Sequence, residues 1–178
     1  MNLWIALIRG INVGGHNILP MKDLRAQLKR AGYQNVRTYI QSGNCVLEAE
    51  ATEASDIETG IASIIEDEFG FRPNVMAFTA TEFAAALALN PFPTRKFDPK
   101  NTHVFFLAST PTAPDFNTMN RDLQPGEAFE LTEHLFFLRA SNGLGRSKIA
   151  ARIERLLGVS ATARNLNTVQ KICEMTDS

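Results

Sequence analysis

Three features of the sequence predict an α+β protein of two packed halves. Up to residue 80, short apolar runs and two amphipathic stretches follow the order strand, helix, strand, strand, helix, strand. The residues after 101 run through a similar order. Between them, Pro91 to Lys100 holds three prolines, a composition that suits a connection. The first order is the split βαβ, or ferredoxin-like, arrangement (βαββαβ), and the second half is expected to be a similar α+β unit. The expected bounds are 1–80 for the ferredoxin-like half, 81–100 for a helix and proline-rich connection, and 101–178 for the second half with its C-terminal helices.

Each element has its own local reason. Leu3 to Ile8 is apolar at every position, as a central strand buried on both faces should be. Pro20 starts the first helix, Met21, Leu24 and Leu28 form its inward stripe, and Gly32 stops it. Val36 to Gln41 and Asn44 to Ala49 flank Ser42-Gly43 as a tight hairpin. A two-residue loop pairs Gln41 with Asn44, Tyr39 with Val46 and Arg37 with Glu48 on one face. Ile40 then meets Cys45 and Thr38 meets Leu47 on the other, so charge and apolarity sort by face. Ile57, Ile61, Ile64, Ile65 and Phe69 line a second helix that ends near Gly70, and Val75 to Phe78 closes the sheet.

Thr79 and Glu82 have capping-box spacing before an alanine-rich helix that ends at Asn90-Pro91. In the second half, Thr102 to Leu107 is a strand and a short helix lies between Pro114 and Leu123. Phe129 to Leu131 and His134 to Arg139 form a hairpin. Ser147 opens a helix with Ile149, Ile153, Leu156 and Leu157 inward and Gly158 as its stop. Ala161 to Arg164 is a short strand, and Asn167 caps a terminal helix with Val169, Ile172 and Cys173 inward.

Composition narrows the functional classes. A chain of 178 residues buries roughly 70% of its unfolded surface, enough for a core without metal or disulfide staples. The net charge of -1 gives no bulk attraction to nucleic acid or to a membrane. Charge is nevertheless uneven. Glu48 to Glu68 carries acids with no Lys or Arg, whereas Arg139 to Lys171 carries seven cations against Glu154 alone. Cys45 and Cys173 make neither a metal nor a redox spacing. With no basic leader, cleavage site or membrane-length apolar run, the sequence is expected to be cytoplasmic.

Three polar segments are candidates for chemistry. Arg9-Gly10-Ile11-Asn12-Val13-Gly14-Gly15-His16-Asn17 joins the first strand to the first helix, and its glycines let backbone N–H groups approach a ligand. In a ferredoxin-like half this loop lies at the same sheet end as Gln41-Ser42-Gly43-Asn44, so two polar glycine-bearing segments share a rim. The glycines equally serve two turns. The second candidate is Ser141-Asn142-Gly143-Leu144-Gly145-Arg146-Ser147-Lys148, a glycine-rich entry to a helix, where N–H groups and two cations favour an anion. Ser147 is also a simple N-cap. The third is Thr162 to Thr168, in which capping accounts for Asn167 but gives no reason for Arg164.

Other chemistries lack their patterns. The chain shows no P-loop, no G-x-G-x-x-G fingerprint and no nucleophile elbow, and His16, His103 and His134 have no metal spacing. No metal or cofactor is expected. The third strand, Asn44 to Glu48, has neither aromatic nor basic residues, so the base-stacking platform of RNA-recognition modules is missing.

Arg9 to Gly15, then Met21 and Leu24, then Thr38-Tyr39-Ile40-Gln41-Ser42-Gly43-Asn44 closely resemble the domain-of-unknown-function 1697 family, whose members are mostly bacterial. Gly145 to Lys148 and Thr162 to Thr168 look like its C-terminal motifs. This chain departs from the family at Ala163, Leu166 and Cys45, where members commonly carry Thr, Trp and Val. The resemblance implies an α+β protein with a ferredoxin-like portion and brings no activity or substrate with it.

The residues themselves point to a binding protein for an anionic small molecule, a phosphate-bearing metabolite or nucleotide. Arg9, Asn12, Gly14, Gly15, Gln41, Ser42 and Asn44 would form one wall, and Gly145, Arg146, Ser147, Lys148, Arg164 and Asn165 another. The alternatives are an enzyme acting on a phosphorylated or acyl substrate, with Arg9, Lys148 or Arg164 stabilising charge, and a protein-interaction module. Nucleic acid is a disfavoured partner, no membrane is expected, and the oligomeric state is open.

Overall fold

The computed structural model describes residues 1–177. The chain is a mixed α+β protein with two four-stranded antiparallel sheets. Contacts divide it into two compact units, 1–84 joined by the residues from Ile172 on, and 85–171. Residues 81–84 of the expected connection thus group with the first unit and the remainder with the second.

The first unit runs β1 (Asn2–Ile8), α1 (Met21–Arg30), β2 (Gln34–Tyr39), β3 (Asn44–Ala49), α2 (Ala54–Phe69) and β4 (Val75–Thr79). Its strand order is β2-β3-β1-β4, with β1 between two partners. Leu24 and Leu28 of α1 and Ile57, Ile61 and Ile65 of α2 pack on Ala6, Ile8, Cys45, Leu47, Val75 and Ala77. On the sheet's other face Ile5, Leu7, Val46 and Met76 are also buried, which is why β1 reads as a continuous apolar run.

α3 (Ala80–Ala88) follows directly, and its N-terminus is the expected capping box. The Glu82 N–H donates to Thr79 Oγ1 at 3.2 Å, and the Thr79 N–H donates to Glu82 Oε2 at 2.8 Å. The second unit continues with β5 (Thr102–Leu107), α4 (Phe116–Asp122), β6 (Glu127–Leu131), β7 (Leu135–Ala140), α5 (Ile153–Leu157) and β8 (Ala161–Asn165). Its sheet has the order β6-β7-β5-β8, and α6 (Leu166–Thr176) follows β8. Phe105, Leu107, Phe136 and Leu138 pack with Met119, Ile149, Ile153, Leu156 and Leu157.

Three local expectations need correction. Tyr39 pairs with Asn44, Thr38 with Cys45 and Arg37 with Val46. The β2–β3 loop is therefore Ile40 to Gly43, and the register slips by two from the tight hairpin. Asn44 Nδ2 closes the wider loop by donating to Tyr39 O at 3.0 Å and Ser42 Oγ at 2.9 Å. A slip of two preserves which face each side chain takes, so the alternation pattern could not detect it. The helix expected from Ser147 is broken into a 3₁₀ turn, Ala150–Arg152, and the five-residue α5. Finally, the terminal helix is capped by Asn165, whose Oδ1 accepts from the Thr168 N–H at 2.9 Å; Asn167 lies inside the helix.

The registers define an internal repeat. Trp4 pairs with Leu47 and Thr79, and His103 pairs with Leu138 and Asn165. Trp4 and His103 therefore occupy one position, and Thr79 and Asn165 another, where each caps the helix after its sheet. Trp4 Nε1 and His103 Nδ1 are both buried without a hydrogen-bond partner. Burial holds the His103 imidazole below its ordinary value, opposed by a hydrogen bond that the ring donates to the Asn101 backbone carbonyl.

Below about pH 6.5 the unfolded chain therefore binds a proton that the folded chain resists, and stability falls with pH. His103→Phe, which places a non-titrating ring where the repeat has Trp4, should flatten the loss between pH 7 and 5.5. Urea denaturation of both proteins at the two pH values measures this, and identical losses would assign the acid sensitivity elsewhere.

Candidate functional site

At the C-terminal end of β1, the loop expected to bind forms a small hairpin of its own. Val13 and His16 make an isolated bridge, with the His16 N–H donating to Val13 O at 3.0 Å. Gly14 and Gly15 form its tip at φ +58° and +79°, the paired left-handed conformation that a type I′ turn requires. Asn12 and Asn17 flank it at φ 54° and 50°, and the Asn12 N–H donates to Asn17 O at 3.1 Å. Asparagine tolerates this region better than most residues.

Asn12 holds the loop to its surroundings. Its Nδ2 donates to Leu19 O and to Gln41 O, both at 2.9 Å, and its Oδ1 accepts from the Leu19 N–H at 2.8 Å. The Ile8 N–H also donates to Gly43 O at 2.7 Å. The two segments separated in sequence thus meet at one end of the first sheet. Gly43 is required there: a Cβ would lie 2.8 Å from Ile8 O, Ile8 Cβ and Ile11 Cδ1.

This geometry sorts the first wall by role. Asn12, the buried Asn44 and the Ser42 hydroxyl hold loops in shape through the bonds above. Arg9, Gly14, Gly15 and Gln41 are exposed at the rim. Arg9 is anchored through its backbone, whose N–H donates to Asn74 O at 2.9 Å.

In the second unit, Ser141 to Lys148 leaves β7 where Arg139 pairs with Thr102, and β8 ends where Asn165 pairs with His103. Gly145, Arg146, Ser147, Lys148, Arg164 and Asn165 therefore belong to segments at the same end of the second sheet. The glycine-rich loop is not an open cradle. The N–H groups of Gly143, Arg146 and Ser147 donate to Ala140, Gly143 and Leu144 carbonyls at 2.9–3.1 Å. Ser147 is buried and caps the following turn, its Oγ accepting from the Ala150 N–H at 3.2 Å. Arg146 and Lys148 stand exposed beside it. Arg164 is half-buried and donates to the neighbouring Ala163 O at 2.8 Å.

Two residues at this end escaped the sequence reading. The Arg139 guanidinium lies 4.1 Å from the Phe97 ring centroid and 5.6 Å from that of Phe92. Thr102, opposite Arg139, is fully buried, and its Oγ1 has no hydrogen-bond partner. Strand register was the missing signal, because only pairing sets Arg139 beside Thr102. Nearby along the chain, a cleft of about 420 Å³ is lined by Leu87, Asn90, Thr94, Arg95, Leu166 and Gln170. Among the described residues no three His, Cys, Asp or Glu side chains gather to hold a metal. No helix there is long and apolar enough to cross a membrane.

The architecture is that of a duplicated ferredoxin-like α+β protein, each sheet continued by a capped helix. The chain belongs to the family of proteins of unknown function DUF1697, whose model matches residues 1–137. A conserved bacterial protein, SP0830 from Streptococcus pneumoniae, shares the fold at a TM-score of 0.70 and 22% identity, over 97% of both chains. A search of curated proteins found no match.

Two substitutions test the rim. Asn12→Ala removes three hydrogen bonds and leaves the part-buried Leu19 N–H and C=O without this partner, and should cost about 2–3 kcal/mol. Gly43→Ala adds a methyl against backbone at φ +77° and should cost at least as much, roughly 2–4 kcal/mol. Urea denaturation checks both, and losses under about 0.5 kcal/mol would show that the rim is not held this way.

Proposed function

We propose that this protein binds an anionic small molecule, a phosphate-bearing metabolite or nucleotide. The reading is carried by one observation: Asn12 draws the Arg9–Asn17 loop onto the carbonyl of Gln41, so that Arg9 and two glycines stand together at a sheet end. Glycine tips let a ligand approach the backbone, and a guanidinium supplies charge and a planar fork. The second unit has basic segments of its own, with Arg146 and Lys148 exposed beside a glycine-rich loop and Arg164 on an adjoining segment. The chain's near-neutral total suits a local charged site better than a broad electrostatic surface.

A thermal-shift screen with nucleotides, phosphosugars and acyl phosphates tests this. Ligand at about 100 times its dissociation constant adds roughly 2.7 kcal/mol, which raises the melting temperature of a chain this size by roughly 5–10 °C. Arg9→Gln should remove the shift where the ligand sits on the first unit, and Lys148→Gln and Arg164→Gln should remove it where the ligand sits on the second, with the unliganded melting temperatures of Arg9→Gln and Lys148→Gln within about 2 °C of wild type. Binding retained in all three variants would end the reading.

A second reading, a protein-interaction surface, is favoured by a different observation at the same rim. Val13, Ile18 and Ile40 are 66%, 59% and 50% exposed. Ile40 also has φ +49°, a conformation that β-branched residues rarely adopt. A strained and exposed isoleucine serves no packing role and invites a contact. Ile40→Asn should stabilise the isolated protein by about 0.5–1 kcal/mol. If it also weakens self-association in sedimentation equilibrium, the interaction reading gains; unchanged association removes it.

A further inference from the structure

We propose that the second sheet carries an oxyanion site built on Arg139, Arg164 and Thr102, which takes an inorganic phosphate or a phosphate ester. The proposal rests on the anion-binding reading but assigns the phosphate group to one face of one sheet.

Strand register places the three residues together. Thr102 pairs with Arg139 on one side of β5, and Val104 pairs with Arg164 on the other. Residues directly opposite share a face, as do residues two apart on one strand. Arg139, Thr102 and Arg164 therefore lie on the same face, opposite the core face of Phe105 and Leu107. The same face carries Val104, Phe106, Leu135 and Phe137, all buried, with the buried Thr162 opposite Phe106 and the exposed Glu130 opposite Phe137. Its two arginines lie opposite Thr102 and Val104, in the first half of β5.

Arg139 is held for recognition without being neutralised. Phe97 lies against its guanidinium, and its Nε donates to Gly126 O at 3.3 Å. Among the described residues it has no carboxylate partner. A guanidinium fixed by stacking and by one donor presents its remaining N–H groups in a geometry that matches phosphate oxygens. The Thr102 hydroxyl beside it is fully buried and unpartnered, and a buried polar atom in that state calls for a partner.

The internal repeat supplies a control. Leu3 pairs with Glu48, and Ile5 with Phe78, at the positions equivalent to Thr102 with Arg139 and Val104 with Arg164. The first unit thus builds the same strands with Leu3, Glu48 and Phe78 where the second has Thr102, Arg139 and Arg164. The strand pattern itself does not demand a cation at the position of Arg139. A half-buried guanidinium at Arg139 with no carboxylate beside it carries a desolvation penalty that a bound oxyanion would offset.

Isothermal titration of the full chain with phosphate and pyrophosphate tests the site. Pyrophosphate affinity should fall at least ~10-fold in Arg139→Gln and in Arg164→Gln. Thr102→Val, which keeps the shape and removes the hydroxyl, should lose several-fold, about 3 to 10 times. Arg139→Lys should retain part of the affinity, and Arg30→Gln on the exposed face of α1 should change nothing. Should Arg139→Gln fail to fold, Arg139→Lys and Thr102→Val carry the comparison. Wild-type affinity in Arg139→Gln, Arg139→Lys and Thr102→Val overturns the site, as does folded wild-type protein that takes up neither probe. If those variants still bind while Arg9→Gln loses a nucleotide or phosphosugar shift, the broader reading survives and this assignment falls.

Discussion

Each unit depends on a central strand that must satisfy two requirements at once. β1 and β5 are paired on both edges and carry apolar side chains on both faces. Pairing removes the cost of burying their peptide groups, and burial supplies the main favourable free energy. Once such a strand is in place, the ends of its neighbours are set to within a residue, and so are the loops that leave them. The Arg9 loop meets Gln41–Asn44 because β1 and β3 are antiparallel partners. Arg139 and Arg164 share a face because β7 and β8 flank β5.

The repeat separates what the architecture requires from what it permits. Thr79 and Asn165 have different side chains but do one job, capping a helix that begins directly after the last strand. That position is constrained because the first N–H groups of a helix need an acceptor. Trp4, which is buried, and His103, which is half-buried, occupy equivalent positions with rings of different size and chemistry. Glu48 and Arg139 are opposite in sign, so that position is left open by packing.

Loops have departed further than strands. The first unit's loop after β1 is closed by a two-glycine tip and by an asparagine that binds three backbone groups. In the second unit, Asp115 ends the equivalent connection by capping α4, its Oδ1 accepting from the Thr118 N–H at 2.9 Å. Its other basic segments are tied down locally as well: Arg152 pairs with Asp122, and Gln124 Nε2 donates to Arg146 O at 3.2 Å. A basic stretch in the sequence is thus divided between side chains that brace turns and side chains that stand free of bracing roles, such as Lys148.

The sequence by itself determined the element order, the buried stripes and most helix ends, because these follow from periodicity and from capping within a few residues. Leu24 with Leu28, Thr79 with Glu82, and Gly70 are local signals that the folded chain kept. Only tertiary structure decided the β2–β3 register, since a slip of two leaves each side chain on its face and is set instead by Asn44 and Gly43. It also decided that the helix expected from Ser147 breaks into a 3₁₀ turn and α5, that Asn165 caps α6, and that Arg139 stands beside Thr102. These are contacts across strands or choices between nearby caps, and their energies depend on neighbours that one-dimensional spacing does not specify.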